Sequence, residues 1–212
     1  MTPEEKEVAQ LITFLQHIPM TQAVDGGEFG YNNPVLVCMD AVLSMNRKYD
    51  SFVRPRIAAF RANYPDLNSL AALLAQIERD GQEAFCGMWN YKHAERVEIL
   101  IALAEMYVTY AATHQTDDEL TAMKHWAAHA SISNYRQQVV PGIGLATFQY
   151  LRMLLGVSTV KPDVHIRRAL REALGRNVSN IEAIALVEAA SAQMGLSALH
   201  VDHNIWRYYS AK

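Results

Sequence analysis

Apolar residues recur at helical spacing along almost the whole chain, and no stretch alternates apolar and polar residues as a half-buried strand does. The longest apolar stripe contains Val97, Leu100, Ile101, Ala104 and Val108. Glycine, proline and asparagine are concentrated in short segments between the periodic stretches, where they predict turns. The pattern therefore predicts an all-α fold.

Start and stop signals divide the chain into predicted helices. Thr2 and Glu5 have the spacing of a capping box, and Ser179 with Glu182 repeats it near the C-terminus. Asn90 has the position of an N-cap before a long apolar stripe. The signals predict a Gly- and Asn-rich loop over 24–34 and helices over 35–46, 50–63, 69–79, 91–113, 118–130, 132–139 and 145–156, with two or three more from about residue 162.

Composition excludes several classes of protein. The chain has 212 residues, 50% of them apolar, with two cysteines and a net charge of −3. Two cysteines are too few for a disulfide framework or a four-cysteine cluster. No apolar run approaches the roughly 20 residues of a membrane span, and the acidic N-terminus lacks the basic start of a secretory signal. We expect an intracellular protein without a membrane partner, cytoplasmic or associated with the nucleoid.

Positive charge is concentrated in two segments, although the net charge is negative. Residues 47–61 hold five Lys or Arg residues against one acid, and residues 161–176 hold five against two. Because attraction of a polyanion depends on where the charges lie, this distribution allows a local nucleic-acid interface on an acidic chain.

The most informative segment is a tight turn between two predicted helices, at Pro141-Gly142-Ile143-Gly144. Proline fixes one φ angle, and the two glycines permit conformations that a side chain forbids. The helix that follows begins with unpaired amide groups, which together with the helix dipole form an anion site suited to a phosphate. Taken alone, the turn also fits a plain helical hairpin.

A second motif makes the turn more specific. Residues 140–147 read VPGIGLAT, and 19 residues after Gly144 comes Asp163 in the string PDVHIR. The combination resembles the helix-hairpin-helix DNA glycosylase superfamily, in its endonuclease III-like branch, where the corresponding aspartate is catalytic. Weaker likeness extends to residues 34–46, to residues 87–94 and to the closing HVDHNIWRYY, so that it covers most of the chain.

The resemblance implies an all-α fold of two helical lobes with the helix-hairpin-helix motif at the cleft between them. A helical barrel over 34–156 would carry the hairpin, and a second lobe would combine 1–33 with 157–212. Asp163 would then lie in the cleft. The same resemblance leads us to expect a monomer.

The resemblance also implies a substrate, which is duplex DNA with a damaged or mismatched base flipped out of the stack. Cleavage of an N-glycosidic bond passes through an oxocarbenium-like sugar, and the carboxylate of Asp163 would stabilise its charge and orient water. Asn46 stands where the family has a wedge residue, and Arg47 and Lys48 could contact flanking phosphates. The hairpin residues that would bind DNA are Pro141, Gly142, Ile143, Gly144, Ala146 and Thr147. By the same analogy, the carbonyls of Gln138, Val140 and Ile143 would hold Na⁺ or K⁺.

The chain departs from the family pattern in three places. Bifunctional members carry a lysine where this chain has Ala146, so we expect a monofunctional hydrolase without abasic-site lyase activity, with Lys161 as the alternative amine. No cysteine follows Cys86, which excludes the family's C-terminal iron–sulfur cluster. The adenine-excising branch has a catalytic glutamate near the position of Ala41, next to Asp40, so that branch is disfavoured.

A rival interpretation is a non-catalytic DNA-binding or scaffold protein that keeps the glycosylase fold. The acidic pI and the missing lysine favour this interpretation.

Other residues suggest further binding sites less strongly. His125 and His129 share one helix face as zinc ligands can, but surface histidines fit the sequence better. Tyr31 and Phe29 are candidates for base stacking. His200 and His203 flank Asp202 near a helix start, where capping and solvation fit the sequence better than metal ligation.

Overall fold

The computed structural model describes residues 2–21 and 30–210, and over these residues the chain is all-α, as the periodicity predicts. The described part contains no strand. Its helices are α1 Pro3–Leu15, α2 Pro34–Leu43, a π-helix Tyr49–Val53, α3 Arg54–Asn63, α4 Leu70–Asp80, α5 Gln82–Met88, α6 Ala94–Thr113, α7 Glu119–His129, a 3₁₀-helix Ile132–Asn134, α8 Tyr135–Gln138, α9 Leu145–Leu154, α10 Val164–Leu174, α11 Asn180–Gln193 and α12 Ala198–Ser210.

Two compact units divide the chain. Unit 1 comprises Met1–Gly30 with Arg152–Lys212, and unit 2 comprises Tyr31–Leu151. In unit 2 all ten residues of α2 are buried, because the helix is apolar all round except for Asp40. Helix α6 packs against α2, α4 and α7 around this core. In unit 1, α1 packs on α10 and α11, and α12 packs on the same two helices.

Several local signals act as the sequence predicts. Thr2 and Ser179 each form a capping box with the glutamate three residues later. Ser69 caps α4, which ends at Gly81 with φ +85°. Satisfying these terminal amides and carbonyls fixes where the helices of both units begin and end.

Other boundaries correct the sequence prediction. Asn90 does not cap the long helix, because α6 begins at Ala94 after His93, and Asn90 has a left-handed φ of +53°. The helix predicted over 35–46 ends at Leu43. The helix predicted over 50–63 begins with a π-helical turn before α3. Helix α5 was not predicted, and residues 24–29 of the predicted loop lie outside the described part.

No single helix of the described part has the length and apolar composition of a membrane span. Helices α11 and α12 reach that composition only as a pair, and the chain bends by 110° between them.

Candidate functional site

The hairpin turn of unit 2 lies open to solvent. Pro141, Gly142 and Gly144 are exposed, whereas Ile143 is 6% exposed and anchors the turn in the core. Gly142 has a φ of +89°, and a Cβ at this position would come within 2.8 Å of Cδ1 of Ile99. The backbone conformation therefore requires glycine at 142, and a side chain there would also displace the end of the Ile99 side chain. A Cβ on Gly144 would meet nothing within 4 Å, so the space beside Gly144 is free for a ligand.

The amides after the turn begin a regular helix. Phe148 donates its amide to the Gly144 carbonyl at 2.9 Å, which closes the first turn of α9. The preceding amides in that turn have no acceptor within the helix, as at any helix start. Ala146 and Thr147 are half-exposed beside them. The first turn of α9 therefore offers N–H donors to an anion at an open surface.

Aromatic side chains hold the two arms of the hairpin. The Trp126 ring packs edge-on against Phe148 of α9 at 5.6 Å between centroids, and its Nε1 donates to the Gln138 carbonyl at 3.0 Å. The Val140 carbonyl accepts from the Ile143 amide at 3.4 Å. Two of the three carbonyls predicted to hold a monovalent cation thus already accept hydrogen bonds. A carbonyl oxygen can accept more than one bond, so the cation site stays a prediction.

The loop after α2 lies against the same part of unit 2 as the hairpin. Arg96 donates to the Met45 sulfur at 3.0 Å, and Ile99, one turn further along α6, is the residue that Gly142 approaches. The first two turns of α6 therefore contact both the loop and the hairpin turn. The Asn46 loop and the hairpin turn, which were predicted from separate motifs, therefore lie against neighbouring residues of α6.

The loop itself presents polar side chains to solvent. Asn46, Arg47 and Lys48 are all exposed, and Asn46 has a left-handed φ of +60°. A non-glycine residue in this region is uncommon, although asparagine tolerates it better than most. This conformation lies in the loop that joins α2 to the π-helix, whose side chains at 46–48 are exposed.

Asp40, in the middle of apolar α2, is fully buried and surrounded by hydroxyl groups. Its Oδ1 accepts from Ser44 and from Tyr150, each at 2.9 Å. Its Oδ2 accepts from Tyr31 at 2.5 Å and from Tyr49 at 2.9 Å. We name these five residues the Asp40 cluster. No Lys, Arg or His of the described residues forms an ion pair with Asp40, so hydroxyl donors satisfy the carboxyl group.

The Asp40 cluster ties together the segments that carry the predicted DNA contacts. Tyr150 belongs to α9 of the hairpin, and Ser44 and Tyr49 flank the Asn46 loop. Burial, with the neighbouring charge of Asp40, raises the pKa of Tyr49 to about 12 and also raises the pKa values of Tyr31 and Tyr150 well above their usual range. The hydroxyls therefore remain protonated donors at neutral pH.

Asp163, in unit 1, is the N-cap of α10 and is half-exposed. Its Oδ1 accepts from the amides of His165 at 2.8 Å and Ile166 at 3.2 Å. Among the described residues, no hydrogen bond reaches Oδ2. The cap orients the carboxylate and leaves one oxygen for another partner.

Asp202 differs from the sequence prediction, because it is buried rather than solvated. It is 6% exposed, and its Oδ1 accepts from the Lys161 amide at 2.8 Å. The Lys161 carbonyl in turn accepts from the Asp163 amide at 2.7 Å, so Asp202 braces the segment that leads to Asp163. Burial, followed by the charge of Asp163, raises the pKa of Asp202 well above its usual value.

His125 and His129 are exposed, as the preferred interpretation predicts. Their rings lie 4.2 Å apart between centroids, and His125 Nδ1 is 2.9 Å from the Tyr110 hydroxyl. Partial desolvation by its neighbours, followed by the charges of His129 and His114, lowers the pKa of His125. Over residues 2–21 and 30–210, no group of three or more His, Cys, Asp or Glu side chains is arranged to hold a metal ion.

Sequence reasoning missed the Asp40 cluster, because its members are spread over more than a hundred residues and only the fold brings them together. One signal was available, which is a lone acid inside an otherwise apolar helix. Tyr31, predicted to stack on a base, instead directs its hydroxyl to Asp40. Phe29, its predicted companion, lies outside the described residues.

Comparison with known proteins gives one match. A family model described as a domain of unknown function, DUF8548, matches residues 23–210. No curated protein and no solved structure matches the chain.

Proposed function

The chain belongs to the DUF8548 family, described as a domain of unknown function, and we propose that it is a DNA N-glycosylase. Its substrate is duplex DNA with a damaged or mismatched base, and its reaction is hydrolysis of the N-glycosidic bond of the flipped nucleotide. Resemblance to the helix-hairpin-helix glycosylases supplies the reaction. The geometry of the hairpin and of Asp163 supplies the physical support.

The observation that carries the proposal is the open hairpin of unit 2. Its exposed turn requires glycine at 142, leaves free space at Gly144 and continues into a helix whose first amides have no acceptor within that helix. Such a start binds phosphate without reading sequence, as a repair enzyme that scans DNA must do. The exposed Asn46 loop lies against the same helix, so a duplex held at the hairpin would meet the wedge and cationic side chains of that loop.

Asp163 is suited to the chemical step. A carboxylate held by two backbone amides at one oxygen is fixed in direction, and its second oxygen is available to a cationic sugar. Preorganised charge of this kind stabilises a transition state without reorganisation during the reaction. In the proposed mechanism, Oδ2 faces C1′, and the C1′–N bond breaks with its electron pair going to the departing base, so that the oxocarbenium charge develops beside the carboxylate. An oriented water then bonds to C1′, and the proton that it loses passes to solvent while the released base takes one up.

We propose a monofunctional enzyme. The lysine that forms a Schiff base in bifunctional relatives would stand at Ala146, whose methyl group cannot act as a nucleophile. Base release therefore leaves an intact abasic site. Strand cleavage then requires added alkali or another enzyme.

The test is an excision assay on end-labelled duplexes, each with one damaged or mismatched base. We expect product from at least one duplex after alkali and none before it, and no covalent adduct when borohydride is present. Asp163→Asn is expected to remove the product while leaving DNA affinity within about twofold. Full activity of that variant would contradict the assignment. DNA binding without product on any duplex would instead favour the non-catalytic alternative.

A further inference from the structure

Two arginines of unit 2 are stacked around one aromatic ring at the surface beside the Asn46 loop. The Arg56 guanidinium carbon lies 3.7 Å from the centroid of the Phe52 ring. The Arg47 guanidinium carbon lies 5.3 Å from the same centroid and 5.6 Å from that of Tyr91. We name Arg47 and Arg56 the arginine pair. Phe52 and Tyr91 support each other edge to face at 5.0 Å.

Hydrogen bonds fix both guanidinium groups. Arg56 donates through Nε to the Asn90 carbonyl at 2.8 Å and through Nη1 to the Phe52 carbonyl at 3.0 Å. Arg47 donates through Nη2 to the Tyr91 hydroxyl at 3.0 Å and through Nη1 to the Asn46 carbonyl at 3.3 Å. A guanidinium has five N–H donors, so each arginine keeps donors for a ligand after it has been anchored.

The charges of the pair are not neutralised by the protein. All the acceptors that anchor the two guanidiniums are neutral oxygens, and no carboxylate of the described residues forms an ion pair with either one. The acid of this segment, Asp50, pairs instead with Arg54 at 3.2 Å. Holding two like charges beside one ring costs energy unless an anion binds there.

We propose that the arginine pair binds neighbouring phosphates of one DNA strand. The inference rests on the proposed function and extends it, because Arg56 has no role in the family resemblance. Guanidiniums fixed by stacking lose little freedom when they bind, and their planar donors match phosphate oxygens. Nucleic acid fits better than an isolated anion, because the pair adjoins the Asn46 loop and so belongs to the surface along α6 that also includes the hairpin.

The test compares two double variants of the full chain that remove the same charge. Arg47→Gln with Arg56→Gln removes the pair. Arg54→Gln with Arg61→Gln removes two exposed arginines from α3 and is the matched control. Affinity for a fluorescent duplex carrying a tetrahydrofuran abasic analogue is measured by anisotropy over a series of salt concentrations. We expect the first double variant to bind at least about tenfold more weakly, with a salt slope lower by roughly two, and the control to change by less than about threefold.

A third variant separates charge from shape. Arg47→Lys with Arg56→Lys keeps both charges but removes the planar forks, and we expect it to keep the wild-type salt slope while losing affinity. Equal losses in the pair and control variants would show that only bulk charge matters and would overturn the inference.

The outcomes also distinguish this inference from the proposed function. Affinity that depends on the arginine pair, without base release from any duplex, would overturn the glycosylase proposal and keep the pair as a phosphate site. Base release, together with a DNA affinity that does not depend on the arginine pair, would support the glycosylase proposal and overturn the pair as a phosphate site. Absence of DNA binding by the wild-type chain would overturn both.

Discussion

Two aspartates cap helices in the two units, and they use their oxygens differently. Asp118 caps α7 in unit 2, where Oδ1 accepts from the Thr121 amide at 3.1 Å and Oδ2 from the Thr121 hydroxyl at 2.6 Å. Asp163 caps α10 in unit 1 with Oδ1 alone. The same capping motif therefore leaves Asp118 occupied by its own helix and leaves Asp163 with an oxygen available for chemistry.

The difference shows how a helix cap can leave one carboxylate oxygen open for the chemical role that we propose for Asp163. The hydrogen bonds from Thr121 lower the pKa of Asp118, so its ionised form serves helix α7. After Asp163 the equivalent position is Ile166, which has no hydroxyl to donate. Because Ile166 is apolar, it leaves Oδ2 of Asp163 without a hydrogen bond, and the half-exposed position of Asp163 keeps this oxygen accessible.

The largest expected effect concerns a third aspartate, Asp40, whose oxygens are both fully used. Asp40→Ala would remove the carboxylate acceptor of four hydroxyl donors, of which Tyr150 is buried and the other three are half-buried. We expect the free energy of unfolding to fall by about 3 kcal/mol or more, measured by urea denaturation. The exposed Asp66→Ala serves as control and should change it by less than about 0.5 kcal/mol. If Asp40→Ala and Asp66→Ala lowered the free energy of unfolding by equally small amounts, the Asp40 cluster would not stabilise unit 2.

The second prediction separates capping from catalysis. Asp163→Ser keeps a side-chain oxygen that can cap α10 but removes the carboxylate. We expect its single-turnover rate of base release to fall at least about 100-fold with DNA affinity retained. Asp118→Ser makes the same change at the other cap, and we expect it to keep the wild-type rate. Similar losses in both variants would assign the effect to helix stability.

The third prediction isolates the cap itself. Asp163→Ala removes both the carboxylate and the capping oxygen, so α10 loses the acceptor of its first amides. Relative to Asp163→Ser, we expect a further loss of about 1 kcal/mol in the free energy of unfolding, measured with the same denaturant. No difference between the serine and alanine variants would contradict a capping role for this residue.

The smallest expected effect depends on pH and concerns Asp202. Burial raises the pKa of Asp202 in the folded protein above its unfolded value of about 3.9. At pH values between these two pKa values, the folded protein keeps a proton on Asp202 that the unfolded chain has lost. Stability from this group is therefore present at low pH and declines as pH rises. In Asp202→Asn the side chain cannot ionise, but its amide oxygen can still accept the hydrogen bond from the Lys161 amide. The melting temperature of Asp202→Asn relative to wild type should rise from about pH 4 to pH 7, and a constant difference would refute the assignment.

The sequence predicts the all-α fold well, because helical periodicity and capping boxes are local. Ser179 and Thr2 cap as expected, whereas Asn90 adopts a left-handed conformation that its sequence position does not reveal. Asp163 is predicted as a site residue because its motif and its spacing after the hairpin resemble those of the glycosylases, and its catalytic role stays a prediction. The Asp40 cluster and the buried position of Asp202 depend on contacts between distant segments, and no local pattern encodes them.

The most direct test of the central claim, that the free oxygen of Asp163 faces a cationic sugar, needs no knowledge of the lesion. Affinity is measured for two duplexes that differ at one site, one with a neutral tetrahydrofuran abasic analogue and one with a positively charged pyrrolidine analogue. We expect the wild-type chain to bind the cationic duplex at least about tenfold more tightly, and Asp163→Asn to bind the two equally. A wild-type chain that does not distinguish them, or a variant that keeps the preference, would contradict the account.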